Sequence, residues 1–347
     1  MSPKPQLILT VDYEIFGNGL GCVDACVVAP ARRMMEIAED FGAPLTFFVE
    51  AMEFAAMERE PETASQAEAV TNQLRDAFTH GHDLQLHLHP QFAGARWDGR
   101  KWLTTDNWRI GDVDDKTCGQ LIAEGKVWLE SKLKDISSEY ECSAFRAGGW
   151  CIQPSETVVH ALLEHGFRID STVAPGFRNT AKWEWSDFRR VPARPFWKTD
   201  GDVCIDRGVG LWEVPITTGR IGKWRHYRAV KQARSSGEGG LAPGCRGSYA
   251  GPANFLQALT SKVAKAMRLG HVMLDFSTMP ADVLIDISEQ WLERFADNDG
   301  PIPLVAIAHT KNFTDASERN MSEYLIWAKG KGIKMGSYGR WMEHVNE

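Results

Sequence analysis

Gly81-His82-Asp83-Leu84-Gln85-Leu86-His87-Leu88-His89-Pro90 alternates polar and apolar residues as a strand does, then stops at two histidines and a proline. Two other apolar runs end the same way. Leu7-Ile8-Leu9-Thr10-Val11 leads into Asp12-Tyr13-Glu14, and Pro303-Leu304-Val305-Ala306-Ile307-Ala308 leads into His309. Burying a strand favours apolar residues up to its last position. Ionisable residues gathered at several strand ends therefore predict a shared polar mouth above a sheet or barrel. Carboxylates and imidazoles together are also the ligand set that suits zinc and similar divalent ions.

Working outward, strand-like runs fall at 6–12, 44–49, 82–88, 142–146, 166–171, 211–216, 271–277 and 303–309. Helical periodicity lies between several of them. Met34, Ile37, Ala38 and Phe41 recur at i, i+3, i+4 and i+7, and Gly42 and Pro44 end that segment. Val158, Val159, Leu162 and Leu163 form a second apolar face, and Leu284, Ile287, Trp291 and Phe295 a third. Strands alternating with amphipathic helices require crossovers into a parallel sheet. The expected fold is an α/β one, an irregular or incomplete (β/α)7-8 barrel with long loop insertions. It is expected to span residues 1–347 as a single domain. An open doubly wound sheet is the alternative, but no glycine-rich phosphate loop follows the first strand. The insertions are placed near 92–115, 176–208 and 219–251, where Trp, Gly, Pro and Arg replace the periodic pattern. Loops of that length in a compact domain are usually lids or binding loops.

A net charge of −7 without a basic block argues against nucleic acid as a partner, because phosphate binding needs a concentrated Lys/Arg surface. No apolar run is long enough for a membrane span. The N-terminal residues carry no apolar targeting region, and the expected compartment is the cytoplasm. Seven scattered cysteines fit reduced thiols there, since the C-x3-C pair Cys22 and Cys26 has no second half. Thirteen tryptophans are an excess, and Trp97, Trp102, Trp108, Trp183, Trp185 and Trp224 lie in loop-like stretches. They either stack on a sugar or pin the loops to the barrel.

In a β/α barrel the reacting groups sit at the C-terminal strand ends. Those ends carry Asp12 and Glu14, His87 and His89, then Arg146, Asp170, Glu213, Asp275 and His309. Each alone has a plain structural explanation. A histidine beside an apolar strand is often a satisfied core group, Asp170 could hold a turn, and Arg146 could be a buried ion-pair partner. Their joint placement at one pole of nearly every strand is what points to chemistry.

Five segments in order resemble the motifs of polysaccharide deacetylases of the NodB-homology type. They are Thr10-Val11-Asp12-Tyr13-Glu14, Gly81 through His89, Phe145-Arg146-Ala147-Gly148-Gly149-Trp150, Gly166-Phe167-Arg168-Ile169-Asp170-Ser171, and Ala306-Ile307-Ala308-His309-Thr310. Leu211-Trp212-Glu213-Val214-Pro215 resembles a further strand of such proteins. The resemblance implies an irregular β/α barrel and metal-dependent removal of N-acetyl groups from amino sugars. It implies Asp12 as general base, His309 as general acid and Arg146 as the group that orients Asp12. Asp170 would pair with an active-site histidine or the substrate. Glu14, His87 and His89 would hold one divalent ion, zinc by preference, with cobalt or nickel as alternatives. Trp150, Tyr13 and Glu213 are the expected substrate contacts.

The sequence departs from that pattern in places. Tyr13 separates the two acids of the first segment, and the residue four after His87 is Gln91, where the family has its second histidine. His89 is then the expected third ligand, with His82 and Gln91 as alternatives. In an ideal strand His87 and His89, two apart, share one face, and Pro90 supplies a bend just after them. The expected activity is hydrolysis of a carbon–nitrogen amide bond, most directly N-deacetylation of an amino sugar or glycan precursor. A hydrolase of a small non-sugar amide, with or without a metal, is the alternative. A carbohydrate-binding barrel without turnover is the third reading.

Overall fold

Chain order in the computed structural model, which describes residues 5–181, 183–222, 225 and 271–345, begins with β1 (Pro5–Tyr13), α1 (Ala29–Asp40) and β2 (Leu45–Glu50). There follow α2 (Ala51–Arg59), α3 (Ala64–Thr79), β3 (Asp83–Leu88), α4 (Asp115–Ser131), β4 (Ala144–Ala147), α5 (Glu156–Glu164) and β5 (Ile169–Asp170). The second half supplies β6 (Trp197–Thr199), β7 (Leu211–Glu213), α6 (Ala281–Arg294), β8 (Ile302–His309), α7 (Asp315–Gly330), β9 (Lys334–Gly336) and α8 (Tyr338–Val345).

One curled sheet runs in the order β6-β7-β5-β4-β3-β2-β1-β8, with β9 added against the first half of β1. Every pairing is parallel except β6 with β7. Helices cover the outside, so β1 and β2 are buried on both faces and read as continuous apolar runs. Met34 and Ala38 of α1 are fully buried, and Ile37 and Phe41 pack partly against the same core. Pro30 opens α1, where its missing N–H costs nothing, and Gly42 follows it with a φ of 63°. Leu284, Ile287 and Trp291 of α6 are likewise buried.

The fold is the incomplete β/α barrel that the strand pattern predicts, and its irregularity is local. The expected strand at 271–277 shrinks to Val272–Met273, which pairs with Thr218–Gly219. β8 is covered on its free edge by irregular chain instead. Thr217 N donates to Val305 O at 3.0 Å, Phe276 N to Ile307 O at 2.9 Å, and Ile307 N to Leu274 O at 2.9 Å. From β7 the chain bends across to make these contacts, with Val214 N on Asp170 O and Ile216 N on Val173 O. Backbone groups are thus satisfied without a full strand.

Of the expected insertions, 92–115 contains the small hairpin Arg96–Trp97 with Trp102–Leu103. The stretch 176–208 contains the hairpin Arg178–Thr180 with Trp185–Asp187, and then β6. The stretch 219–251 and Trp224 lie almost wholly outside the described residues. Among the described residues no helix is long and apolar enough to cross a membrane.

Candidate active site

β1 and β8 pair in register so that Asp12 stands beside His309, and Glu50, His87 and Arg146 form a second row at the ends of β2, β3 and β4. Arg146 is fully buried and joins the two rows. Its Nη1 donates to Asp12 Oδ1 at 2.6 Å, its Nη2 to Thr10 Oγ1 at 3.0 Å, and its Nε to the carbonyl of Ser171 at 2.9 Å. The guanidinium lies over the Phe48 ring, 4.1 Å from its centroid. That many fixed donors hold Asp12 in one orientation, with Oδ2 left facing His309 Nε2 at 3.5 Å.

The carboxylate of Glu14 faces the two histidines of the second segment. Glu14 Oε2 is 3.4 Å from His87 Nε2 and 3.2 Å from His89 Nδ1. Glu14 Oε2 and His87 Nε2 are both buried and have no hydrogen-bond partner among the described residues. Two atoms each about 2.1 Å from a common ion at a tetrahedral angle stand about 3.4 Å apart, so this gap has the width that an ion would fill. His87 Nδ1 donates to the carbonyl of Arg146 at 2.8 Å, which leaves Nε2 as the ring atom free to ligate. Glu50 extends the set, with Oε2 2.8 Å from His89 Nδ1. Glu14, Glu50, His87 and His89 place one ligand atom each within 4.8 Å of the others. The donor set and its unpartnered atoms fit a divalent ion.

His87 and His89 stand two apart on one face, because the backbone stays extended through His89 after β3 ends at Leu88, and the 3-10 turn Pro90–Phe92 begins only after it. The two rings come to 4.9 Å of one another. Gly148 is required opposite, because a Cβ there would overlap the His89 ring. The next two residues, Gly149 and Trp150, have φ of 57° and 58°. A tryptophan in the left-handed region is unfavourable by roughly 1–3 kcal/mol and persists only where its surroundings fix it. Here it sets the Trp150 ring perpendicular to His309, 5.9 Å between centroids, and against Phe177 at 5.5 Å.

Ionisation follows from burial and neighbours. Burial alone would push Asp12 up, but Arg146, His87 and His309 outweigh it and hold the carboxyl below its ordinary value. Glu14 is held well below its own, because Lys311, His89 and His87 together outweigh burial. His87 is pushed down by burial and pulled up more strongly by Asp12, Glu14 and Glu50, to about 9. The carboxylates of Asp12, Glu14 and Glu50 that cause this pull are the charges a divalent ion would neutralise. His309 goes the other way, since burial and Lys311 depress it more than Asp12 and Glu14 raise it. Its imidazole therefore starts neutral and must gain a proton before it can donate one.

Several expected residues stand elsewhere. Tyr13 is not a substrate contact. Its ring packs on Phe47 and Phe54, and its hydroxyl donates to Gln73 Oε1 at 2.7 Å, away from the mouth. No described histidine pairs with Asp170. Asp170 accepts from Thr172 Oγ1 at 2.6 Å and lies in register with Glu213. Glu213 is fully buried beneath the mouth and is not a substrate contact either. Its Oε2 has no hydrogen-bond partner among the described residues, and burial together with the Asp170 carboxylate pushes its pKa well above the ordinary value. Two buried carboxyls set side by side in this way oppose ionising together. His82 is structural, since its Nδ1 accepts from Leu45 N at 3.1 Å. Gln91 is buried, and its Nε2 donates to the carbonyl of Gly17 at 3.4 Å. Asp275 holds the turn through Ser277 and Thr278.

Three residues near the site were not anticipated. Glu50 directly ends an apolar run, and so carried the same strand-end signal as Asp12. Lys311 is only 3% exposed and donates from Nζ to Glu14 Oε1 at 2.6 Å and to the carbonyl of Ile15 at 2.9 Å. Glu184, from the 178–187 hairpin, accepts from Asn179 and packs beside Gly149. Burial raises its pKa while the charge of His89 lowers it.

The fold is shared with solved structures of low sequence identity. A candidate polysaccharide deacetylase from Mycobacterium smegmatis matches at a TM-score of 0.53 and 14% identity, covering 100% of this chain and 91% of its own. An allantoinase matches at 0.50 and 11%, covering 98% and 89%. A 4-alpha-glucanotransferase from Thermococcus litoralis matches at 0.51 and 13%, covering 98% of this chain and 40% of its own. No family model matches the sequence, and no curated protein does. The architecture of this chain is therefore that of the polysaccharide deacetylases and of allantoinase. Such a barrel carries more than one chemistry, so its function has to be argued from the site.

Proposed function

We propose that this protein is a metal-dependent hydrolase of carbon–nitrogen amide bonds, acting as an N-deacetylase on an N-acetylated amino sugar or glycan precursor. The observation that carries the reading is one mouth holding two different devices side by side. Glu14, His87, His89 and Glu50 form a buried ligand set with unpartnered atoms, and Asp12 with His309 forms a proton-moving pair next to it. The names of two fold neighbours, a deacetylase and an allantoinase, agree with amide hydrolysis.

When bound by Glu14, His87 and His89, with Glu50 in reach, a zinc or similar ion supplies Lewis acidity to a carbonyl and lowers the pKa of a coordinated water. The chain's own residues do the rest. Asp12, kept ionised by Arg146, accepts the proton of the attacking water. His309 Nε2 lies 3.5 Å from Asp12 Oδ2, so a proton gained by Asp12 has a short path to the imidazole and then to the leaving amine. Trp150 presents the edge of a wall against His309 where an acyl group or sugar ring would lie.

The test is metal analysis of the protein purified without chelator, joined to acetate release from a panel of N-acetylated amino sugars. One metal per chain and acetate release that stops on chelation is the expected result. A protein that neither holds nor responds to zinc, cobalt or nickel, yet opens a small amide, would replace this reading with the non-sugar amide hydrolase.

A further inference from the structure

Glu14 belongs to two ligand groups. One is Glu14 with Glu50, His87 and His89, and the other is Glu14 with Asp12 and His309. Within each group the ligand atoms lie within 4.8 Å of one another. A carboxylate common to two such groups is the arrangement of a two-metal site, whose ions stand roughly 3.5–4 Å apart.

The two oxygens of Glu14 nevertheless meet different surroundings. Oε2 turns to His87 and His89 and has no hydrogen-bond partner among the described residues. Oε1 turns to the other half, 3.9 Å from His309 Nε2, and there it receives the Lys311 ammonium at 2.6 Å. Lys311 reaches this point from the 3-10 turn Thr310–Asn312 that directly follows β8, and the Ile15 carbonyl fixes its other side. The lysine head thus lies against the second ligand group, on the carboxylate that both groups share.

We propose that the Lys311 ammonium is a built-in second cation, filling the Asp12–Glu14–His309 half of a two-cation centre and limiting the protein to one divalent ion. This inference rests on the metal reading of the Glu14–Glu50–His87–His89 half. Its chemical consequence concerns His309 and Asp12. A metal ion in that half would take a lone pair from the imidazole and from the carboxylate, and both would cease to carry protons. An ammonium has only hydrogens to offer. It supplies positive charge to Glu14 while leaving His309 Nε2 and Asp12 Oδ2 free for proton transfer. A mononuclear hydrolase is in this way kept from becoming a binuclear one by a single side chain.

The test reads metal content rather than turnover. Full-length wild type, Lys311→Met and Lys311→Gln are loaded with zinc, freed of excess by gel filtration and analysed by plasma mass spectrometry, with calorimetric titration of the stripped proteins. Lys311→Gln keeps a donor for the Ile15 carbonyl and serves should the apolar substitution fail to fold. The expected result is one zinc per chain in wild type and two in either variant, a twofold rise in stoichiometry. Adding His309→Ala to the variant returns the content to one, which separates the new ion from zinc bound elsewhere. Lys311→Arg, still a cation, stays at one. A variant that folds and holds only one zinc overturns the inference and leaves the proposed function standing. A wild type that already holds two also overturns it. Wild type without zinc removes the metal reading itself, and the inference falls with it.

Discussion

Replacing Asp12 with asparagine separates the proton-accepting role of this residue from its structural one. Oδ1 remains an acceptor for Arg146 Nη1, now 2.6 Å away, and an amide nitrogen takes the place of Oδ2 opposite His309. Arg146 keeps its bonds to Thr10, to the Ser171 carbonyl and to Ser171 Oγ, so the guanidinium is not stripped of partners. The loss in stability is that of turning a buried charge-assisted bond into a neutral one, about 1–3 kcal/mol. The loss in rate is larger. A positioned base is worth about 10²–10⁴-fold, or about 2.7–5.5 kcal/mol of barrier. Acetate release from an accepted N-acetyl sugar should therefore fall by that factor in Asp12→Asn. KM, zinc content and circular dichroism should stay close to wild type. If Asp12→Asn turns over within a few-fold of wild type, Asp12 is not the base. If it loses zinc together with activity, Asp12 is a ligand and the division of labour drawn from the distances is wrong.

Gly148→Ala should leave the barrel folded but displace the His89 ring that a Cβ would overlap, so zinc affinity should drop at least tenfold by titration; unchanged affinity would take His89 out of the ligand set. Trp150→Ala should raise KM with little change in melting temperature, because a half-buried ring at the mouth is lost and a left-handed tryptophan with it; an unfolded variant would make this residue core. Glu213 should give the fold a pH-dependent stability. Its carboxyl and that of Asp170 both have raised folded values, so the folded state binds the extra proton. The contribution is therefore present at low pH and is lost as pH rises from the unfolded carboxyl value through the folded one. Urea unfolding should show wild type losing stability as pH rises above the ordinary carboxyl range, and Glu213→Gln losing less. Equal slopes for the two proteins would mean that Glu213 holds no extra proton in the fold.

The strand ends were legible because burial leaves a plain trace. β1, β2 and β8 are largely apolar up to their ends and β3 alternates up to its own, so Asp12, His87 and His309 stand out in one dimension as they do in three. The barrel itself followed from the alternation of such runs with amphipathic segments. The strand at 271–277 was overestimated for a related reason. Its residues are apolar enough, but pairing depends on the neighbour, and the neighbour at 214–217 is irregular. Glu50 followed the strand-end rule and was still missed. α2 starts at the next residue, and Glu50 also caps it by accepting from Met52 N, so in sequence it reads as an ordinary cap.

The remaining misassignments reduce to side-chain direction, which sequence gives only along one element at a time. Tyr13 follows Asp12 on a strand, and neighbours on a strand face opposite ways; Asp12 in the mouth therefore already sends Tyr13 outward to Gln73. The same rule puts His87 and His89, two apart, on one face, and it holds because the backbone stays extended through His89 although the ladder ends at Leu88. Asp170 and Glu213 show the limit of such reasoning. Each looks like a strand-end acid, but their meeting is set by the register of β5 against β7, more than forty residues apart, and that register turns two candidate site residues into one buried pair of neighbouring carboxyls. Lys311 meets the same limit. It lies past the ladder of β8, in a 3-10 turn, and its partner Glu14 lies past the ladder of β1. Only the pairing of the first and last principal strands brings the two together. The residue that decides how many cations this mouth holds is thus one that neither periodicity nor strand-end position could have marked.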